Sequence, residues 1–206
     1  MNNQIGSVVA SGARWATVTR STRETQITVT LKLDGSGETR IETGVGFFDH
    51  LLNSLAHHAL FDLEITAAGD LVIDEHHTVE DVALVLGAAL AEALGDRSGI
   101  VRFGDAAVPM DESVATVVVD VGGRPYAVVD LPFRGKRAGK MPLQLIEHAL
   151  ESLARAGGVT LNVRGRGRND HHLAEAAFKA LGRSLRAAVA VDPRRSGAAS
   201  TKGTLG

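Results

Sequence analysis

Apolar positions along the chain follow two periods, and the succession of periods occurs twice. RWATVTRS (residues 14–21) and TQITVTLKL (25–33) alternate apolar and polar residues, as half-buried strands do. VATVVVDVG and PYAVVDL alternate in the same way further on and read as their counterparts. Each half then continues with a helical pattern, a strand (FDLEITA at 61–67, VTLNV at 159–163) and a second helical pattern. The predicted order is β-β-α-β-α, twice, with an additional short strand at 38–42. The helical segments also match residue by residue. FFDHLLNSLA at 47–56 aligns with LIEHALESLA at 145–154, and DEHHTVEDVALVLGAAL at 74–90 with NDHHLAEAAFKALGRSL at 169–185.

Local signals support these helices. Asp74 and Asn169 stand at equivalent N-cap positions, Pro142 in a first turn and Gly157 just past a last one. Val79, Val82, Ala83, Leu86, Ala89 and Leu90 cover more than one helix face, so this helix is predicted to be buried between layers. Gly87 and Gly182, equivalent in the alignment, each cost about 1 kcal/mol relative to alanine inside a helix, which predicts close helix-to-helix approach. The expected fold is α/β in the α+β sense: duplicated halves forming four helices packed against two sheets. One domain spans 1–206, with repeats at 13–98 and 99–191 and a mobile tail at 192–206.

Composition narrows the chemistry. With 44% hydrophobic residues in 206, the chain can bury a sizeable core. A formal net charge of −2 gives no field that would draw it to nucleic acid or an anionic membrane. RGRGR at 164–168 lacks an aromatic platform and reads as a charged loop, so no nucleic-acid partner is expected. There is no cysteine, which leaves metal chemistry to histidine and carboxylates. No apolar run reaches the roughly 18 residues of a membrane span and the N-terminus lacks a secretory pattern, so a cytoplasmic protein without membrane attachment is expected.

Six of the eight histidines fall in the repeated segments: His50, His76 and His77 in one half, His148, His171 and His172 in the other, accompanied by Glu80 and Glu175. On a helix His76 with Glu80, or His171 with Glu175, lie one turn apart on one face and can reach one ion. Adjacent histidines diverge by about 100° around the axis, so two ions, or an ion and a substrate, are the simpler arrangement. Divided evenly, each ion receives three imidazoles and one carboxylate, leaving open positions for catalysis. His57 has no partner in the repeat and reads as solvated, whereas His58 is a candidate substrate contact. Arg102, Arg124 and Lys202 lie beside small residues, as a phosphate site wants, and Lys179 extends the ligand face of its helix one turn beyond Glu175.

Taken together, TGVGFFDHLLNSLAHHALFDL, GDLVIDEHHTVEDVALVLG, PMDES, GGRPY, EHALESLA, GRNDHHLAEAAFKALGRSL and a C-terminal STKG resemble the imidazoleglycerol-phosphate dehydratase family of histidine biosynthesis over residues 14–205. Thr201 stands where the family commonly has a second serine, and Ala59 where glycine is usual. The resemblance implies four helices sandwiched between two mixed sheets and a carbon–oxygen lyase holding two Mn2+ per active site. It also implies a homo-oligomer of trimers assembling into a 24-mer, with sites shared between subunits. Its substrate is a small phosphate ester, converted to imidazole acetol phosphate and water. By the same resemblance, His50, His76, His77, Glu80, His148, His171, His172 and Glu175 hold metal, with His50, His58, His76 and His171 also facing substrate. Arg102, Arg124, Lys179, Ser200, Thr201 and Lys202 hold phosphate; Glu24, in TRET, is the candidate acid/base and Glu175 a second participant.

Chemistry makes sense of that substrate. The hydroxyl to be lost is on the carbon bearing the ring, and the proton to be removed is on the next carbon, where nothing acidifies it. An imidazole bridging two ions becomes an imidazolate that expels hydroxide to give a diazafulvene, which acidifies the neighbouring C–H. Two other readings fit the ligand count: a dinuclear metallohydrolase such as a phosphatase, and a non-catalytic scaffold assembled by metal.

Overall fold

A computed structural model describes residues 4–9 and 14–205. The first half contains β2 (Trp15–Ser21), β3 (Thr25–Lys32), β4 (Thr39–Glu42), α1 (Gly46–Ala59), β5 (Asp62–Gly69) and α2 (His76–Leu94), preceded by β1 (Gln4–Val9). The second contains β6 (Phe103–Met110), β7 (Ser113–Asp120), β8 (Tyr126–Asp130), α3 (Gln144–Gly157), β11 (Thr160–Arg166) and α4 (Asp170–Val189). Two short strands, β9 (Arg137–Ala138) and β10 (Met141–Pro142), form a hairpin between β8 and α3.

Strand order confirms the duplication and corrects its register. The sheets run β1-β2-β3-β5-β4 and β6-β7-β11-β8. In both, the third strand of the half pairs in parallel with the strand just after the first helix, β4 with β5 and β8 with β11; the other neighbours are antiparallel. Each half is therefore β-β-β-α-β-α. The segments at 114–122 and 125–131 are counterparts of the second and third strands of the first half, not of its first two. The missed strand is β6, FGDAAVPM, whose composition hides it. A Cβ on Gly104 would lie 2.0 Å from the Ser184 carbonyl oxygen, because α4 crosses the strand there. Pro109 is accommodated because β6 is an edge strand, whose outer N–H groups need no partner.

Helices α1 and α2 lie on the first sheet, α3 and α4 on the second, and the two layers meet through α1 against α4 and α2 against α3. Helices from different halves therefore touch. All six apolar residues singled out on α2 are buried. The glycines mark the crossings: a Cβ on Gly87 would stand 2.5 Å from Leu153 O on α3, and one on Gly182 2.3 Å from Leu55 O on α1. Gly182→Ala is expected to destabilise by about 2–3 kcal/mol by prising α4 from α1, although helix propensity alone would favour alanine by about 1 kcal/mol. Urea denaturation reads the sign directly, and a neutral or stabilised variant would contradict the close packing.

Three boundary expectations shift by a residue or two; Pro142 lies in β10, ahead of the first turn of α3. Asn169 is the N-cap of α4 and accepts from the His171 and His172 N–H groups, whereas Asp74 accepts from His76 N–H at 2.8 Å one residue before the cap position of α2. Gly157 belongs to α3, and Gly158 beyond it takes the left-handed conformation at φ 61°. The Arg97 guanidinium donates to Gly157 O, Gly158 O and Val121 O, placing positive charge at the C-terminus of α3.

The segment expected as a mobile tail is instead anchored. Gly99 N–H donates to Gly197 O, Asp192 N–H to Gly99 O, and Arg102 to Ala199 O through its side chain. Among the described residues, no helix is long and apolar enough to cross a membrane.

Candidate active site

The crossing of helices decides which ligands meet. His50 sits on the second turn of α1, against the first turn of α4, where His171 and Glu175 share one face. Glu175 Oε1 lies 3.0 Å from His50 Nε2 and 2.9 Å from His171 Nε2. At the other crossing, Glu80 Oε2 on α2 lies 3.6 Å from His76 Nε2 and 3.3 Å from His148 Nε2 of α3. Each set thus joins a histidine from the first helix of one half to the His-x-x-x-Glu pair on the second helix of the other. Ligand atoms within each set lie within 4.8 Å of one another.

These sets fit a metal ion. Two donors each about 2.1 Å from one ion at right angles stand about 3 Å apart, close to the spacings found here. His148 Nε2 is buried and faces Glu80 without making a hydrogen bond, leaving a lone pair or proton uncompensated in the protein alone. Each carboxylate also divides its oxygens. Glu175 gives Oε1 to imidazoles and Oε2 to Lys179 Nζ at 2.7 Å, while Glu80 gives Oε2 to imidazoles and Oε1 to Arg155 at 3.3 Å. Burial would raise the Glu175 carboxyl, but Lys179 and His50 outweigh it and hold it down to about 2. Burial opposes the same effect at Glu80, where His148, His76 and Arg155 keep the carboxyl below its ordinary value. Both are anionic donors at neutral pH.

The second histidine of each pair is turned away, as rotation about a helix axis requires. His77 and His172 stand at 86° and 85° to the rings of His76 and His171, with centroids 6.0 and 6.2 Å apart. Within one chain each set therefore gathers two imidazoles and one carboxylate, with His77 and His172 outside both. His77 Nδ1 meets Asp70 at 3.0 Å and lies 3.8 Å from Glu24. The hydrogen bond to Asp70 raises the affinity of His77 for its second proton above the usual imidazole value. His172 Nδ1 meets Glu112 at 3.0 Å and lies 3.7 Å from Asp111. That hydrogen bond leads the effects that hold Glu112 down to about 2.

Glu24 occupies the turn between β2 and β3, and its side chain is 55% exposed beside His77. The cationic residues fall in two places. Arg102, at φ 79°, forks Asp120 through Nε and Nη2 at 2.7 and 2.8 Å, and Arg124 approaches the same carboxylate at 3.6 Å. The tail reaches this pair through the Arg102 bond to Ala199 O, the residue before Ser200. Lys179 lies apart, on Glu175. His58 sits near Lys179 and Arg183; burial, then His57 and those cations, lower its pKa, favouring the neutral ring. Sequence reasoning gave no role to Asp70 or Glu112, although Glu112 directly precedes β7 as Glu24 precedes β3.

The imidazoleglycerol-phosphate dehydratase profile matches residues 43–185. The imidazoleglycerol-phosphate dehydratase of Methanoculleus marisnigri is 55% identical over 93% of this chain and 100% of its own, and that of Acidiphilium cryptum 53% over 94% and 100%. The chain belongs to the imidazoleglycerol-phosphate dehydratase family. The crystal structure of the Staphylococcus aureus dehydratase superposes with a TM-score of 0.79 at 33% identity, covering 86% of this chain and 99% of that one. The Pyrococcus furiosus dehydratase gives 0.79 at 36%, covering 91% and 99%. An imidazoleglycerol-phosphate dehydratase is a hydro-lyase of histidine biosynthesis, and the family depends on metal; this chain has groups of histidines and carboxylates that could bind it.

Proposed function

We propose that this chain removes water from imidazoleglycerol phosphate at a centre built from the two His-Glu sets, with Mn2+ as the metal and two ions per site. The observation carrying the proposal is the paired sets themselves, His50/His171/Glu175 and His76/Glu80/His148, which repeat one donor pattern at two helix crossings. His77 and His172 complete the sets of neighbouring subunits, because each points away from its own chain's set and, among the described residues, bonds through Nδ1 alone. A closed assembly of trimers forming a 24-mer is the form in which this exchange takes place.

Divalent cations held by His50, His171 and Glu175 and by His76, Glu80 and His148 would supply the polarisation that makes the substrate ring an electron source for loss of the adjacent hydroxyl. The rest falls to the chain. Glu80 and Glu175, anionic and tied by Arg155 and Lys179, hold their oxygens in place, and Glu175 is a second participant in proton movement. His50, His76 and His171 border the ring, with His58 further along α1. Arg102, Arg124, Lys179, Ser200, Thr201 and Lys202 bind the phosphate and fix the distance between phosphate and ring. Arg102 is held by Asp120 and the tail, so its orientation is set before substrate arrives. Glu24 takes the proton from the carbon beyond the one losing hydroxide. The enol left behind tautomerises to the ketone, and the proton and hydroxide together account for the water.

A metallohydrolase would release orthophosphate, and a scaffold would assemble without turnover. Incubating the Mn2+-loaded protein with imidazoleglycerol phosphate is expected to yield a ketone in proportion to substrate consumed, with no orthophosphate. Orthophosphate release, or metal-dependent assembly with no product, would replace the proposal with one of those readings.

A further inference from the structure

The two halves hold their second histidines with different acids, and the difference divides the roles of two equivalent glutamates. In the first half the loop joining β5 to α2 spans residues 70–75 and carries Asp70, which bonds His77 Nδ1 at 3.0 Å. Glu24 is left 3.8 Å from that nitrogen, beyond hydrogen-bond distance, and largely solvated. In the second half the loop joining β11 to α4 spans only residues 167–169, so it has no counterpart of Asp70. Glu112, the equivalent of Glu24, moves into the vacant role. Its Oε2 meets His172 Nδ1 at 3.0 Å, and its Oε1 accepts from Asn169 N–H and Ser113 Oγ–H at 2.9 Å each.

We propose that Glu112 is a positioning residue that fixes the ring of His172, and that this bond is why Glu24 and not Glu112 is free to move protons. The inference rests on His172 serving as a metal ligand. A carboxylate only accepts, so the hydrogen of a neutral His172 sits on Nδ1 and Nε2 presents its lone pair outward, which is the tautomer a metal needs. Asn169 caps α4 through its side chain while its N–H holds Glu112, so the helix end and the acid are locked together. Asp70 does the same work for His77 without such a lock on Glu24.

The test is titration of the metal-free, full-length protein with Mn2+, following the free ion by electron paramagnetic resonance. Glu112→Ala is expected to weaken one of the two Mn2+ equivalents by about 10–100-fold, and Asp70→Ala the other by a similar factor. Turnover of Glu112→Ala should recover substantially at saturating Mn2+. Glu24→Ala should bind both equivalents as the wild type does. Glu112→Gln keeps one acceptor oxygen for Asn169 and Ser113 but turns an amide donor toward His172 Nδ1, and it carries the test if the alanine chain does not fold; a comparable weakening of the same equivalent is expected. Wild-type Mn2+ binding in both Glu112 variants, with turnover lost even at saturating metal, would make Glu112 a catalytic residue and overturn the proposal. Loss of a third equivalent would also overturn it, since Asp111, Glu112 and His172 would then be an ion site themselves. Wild-type binding by His172→Ala would instead remove the ligand reading on which the inference stands.

Discussion

Glu80→Gln and Glu175→Gln chains are each expected to turn over imidazoleglycerol phosphate at least about a thousandfold more slowly than the wild type, a loss of about 4 kcal/mol of transition-state stabilisation. Each should also lose one of two metal equivalents and keep the other. The two carboxylates belong to separate sets at separate helix crossings, so neither can substitute for the other. Substitution also disturbs what surrounds each one. Without its charge, Glu175 leaves Lys179 Nζ, 2.7 Å away, beside two imidazoles, and Glu80 leaves Arg155 and a buried His148 nitrogen unmatched. If both ions act on one ring, as proposed, the double variant should be little slower than either single one. Full activity in one of the two single variants would mean that one set suffices, and the dinuclear account would fail. Metal analysis of the purified variants, beside steady-state kinetics, provides the comparison.

The second large effect is expected at Glu24. Glu24→Gln retains size and hydrogen bonding but cannot take a proton, and kcat should fall by about 10²–10⁴ with KM little changed. Its metal content should equal that of the wild type, because Glu24 is outside both sets and His77 is held by Asp70. This separates the variant from the ligand substitutions, in which metal and rate fall together. Normal turnover by Glu24→Gln would remove the acid/base assignment and return the residue to a solvated turn between β2 and β3.

Much of this was legible in the sequence because duplication wrote the same chemistry twice. A single His-His-x-x-Glu is an ordinary helix start; its recurrence, with His50 and His148 in equivalent helices, singled out candidate ligands before any contact was known. The helix glycines were equally readable, since Gly87 and Gly182 make sense only where another backbone comes close. Partner choice was not readable. That α1 meets α4, and α2 meets α3, depends on how two layers stack, and no periodicity within one helix encodes which half it will face. Strand β6 was hidden for the same reason at a smaller scale: Gly104 and Pro109 answer to α4 and to the sheet edge, not to strand propensity. Missing that strand shifted the repeat by one element. With β6 and β7 aligned to β2 and β3, Glu112 falls on Glu24 and becomes a candidate from sequence alone. The anchoring of residues 192–205 was invisible because it rests on backbone bonds to Gly99 and the Arg102 side chain, made by a segment of small and polar residues without periodicity.

The measurement that bears most directly on the account is anomalous diffraction from crystals of the Mn2+-loaded protein. Two peaks per chain are expected, one touching His50, His171 and Glu175 and one touching His76, Glu80 and His148, with His77 and His172 from neighbouring subunits as the remaining imidazoles. A single peak per chain, or manganese seated at Asp111, Glu112 and His172 with either His-Glu set empty, would contradict it.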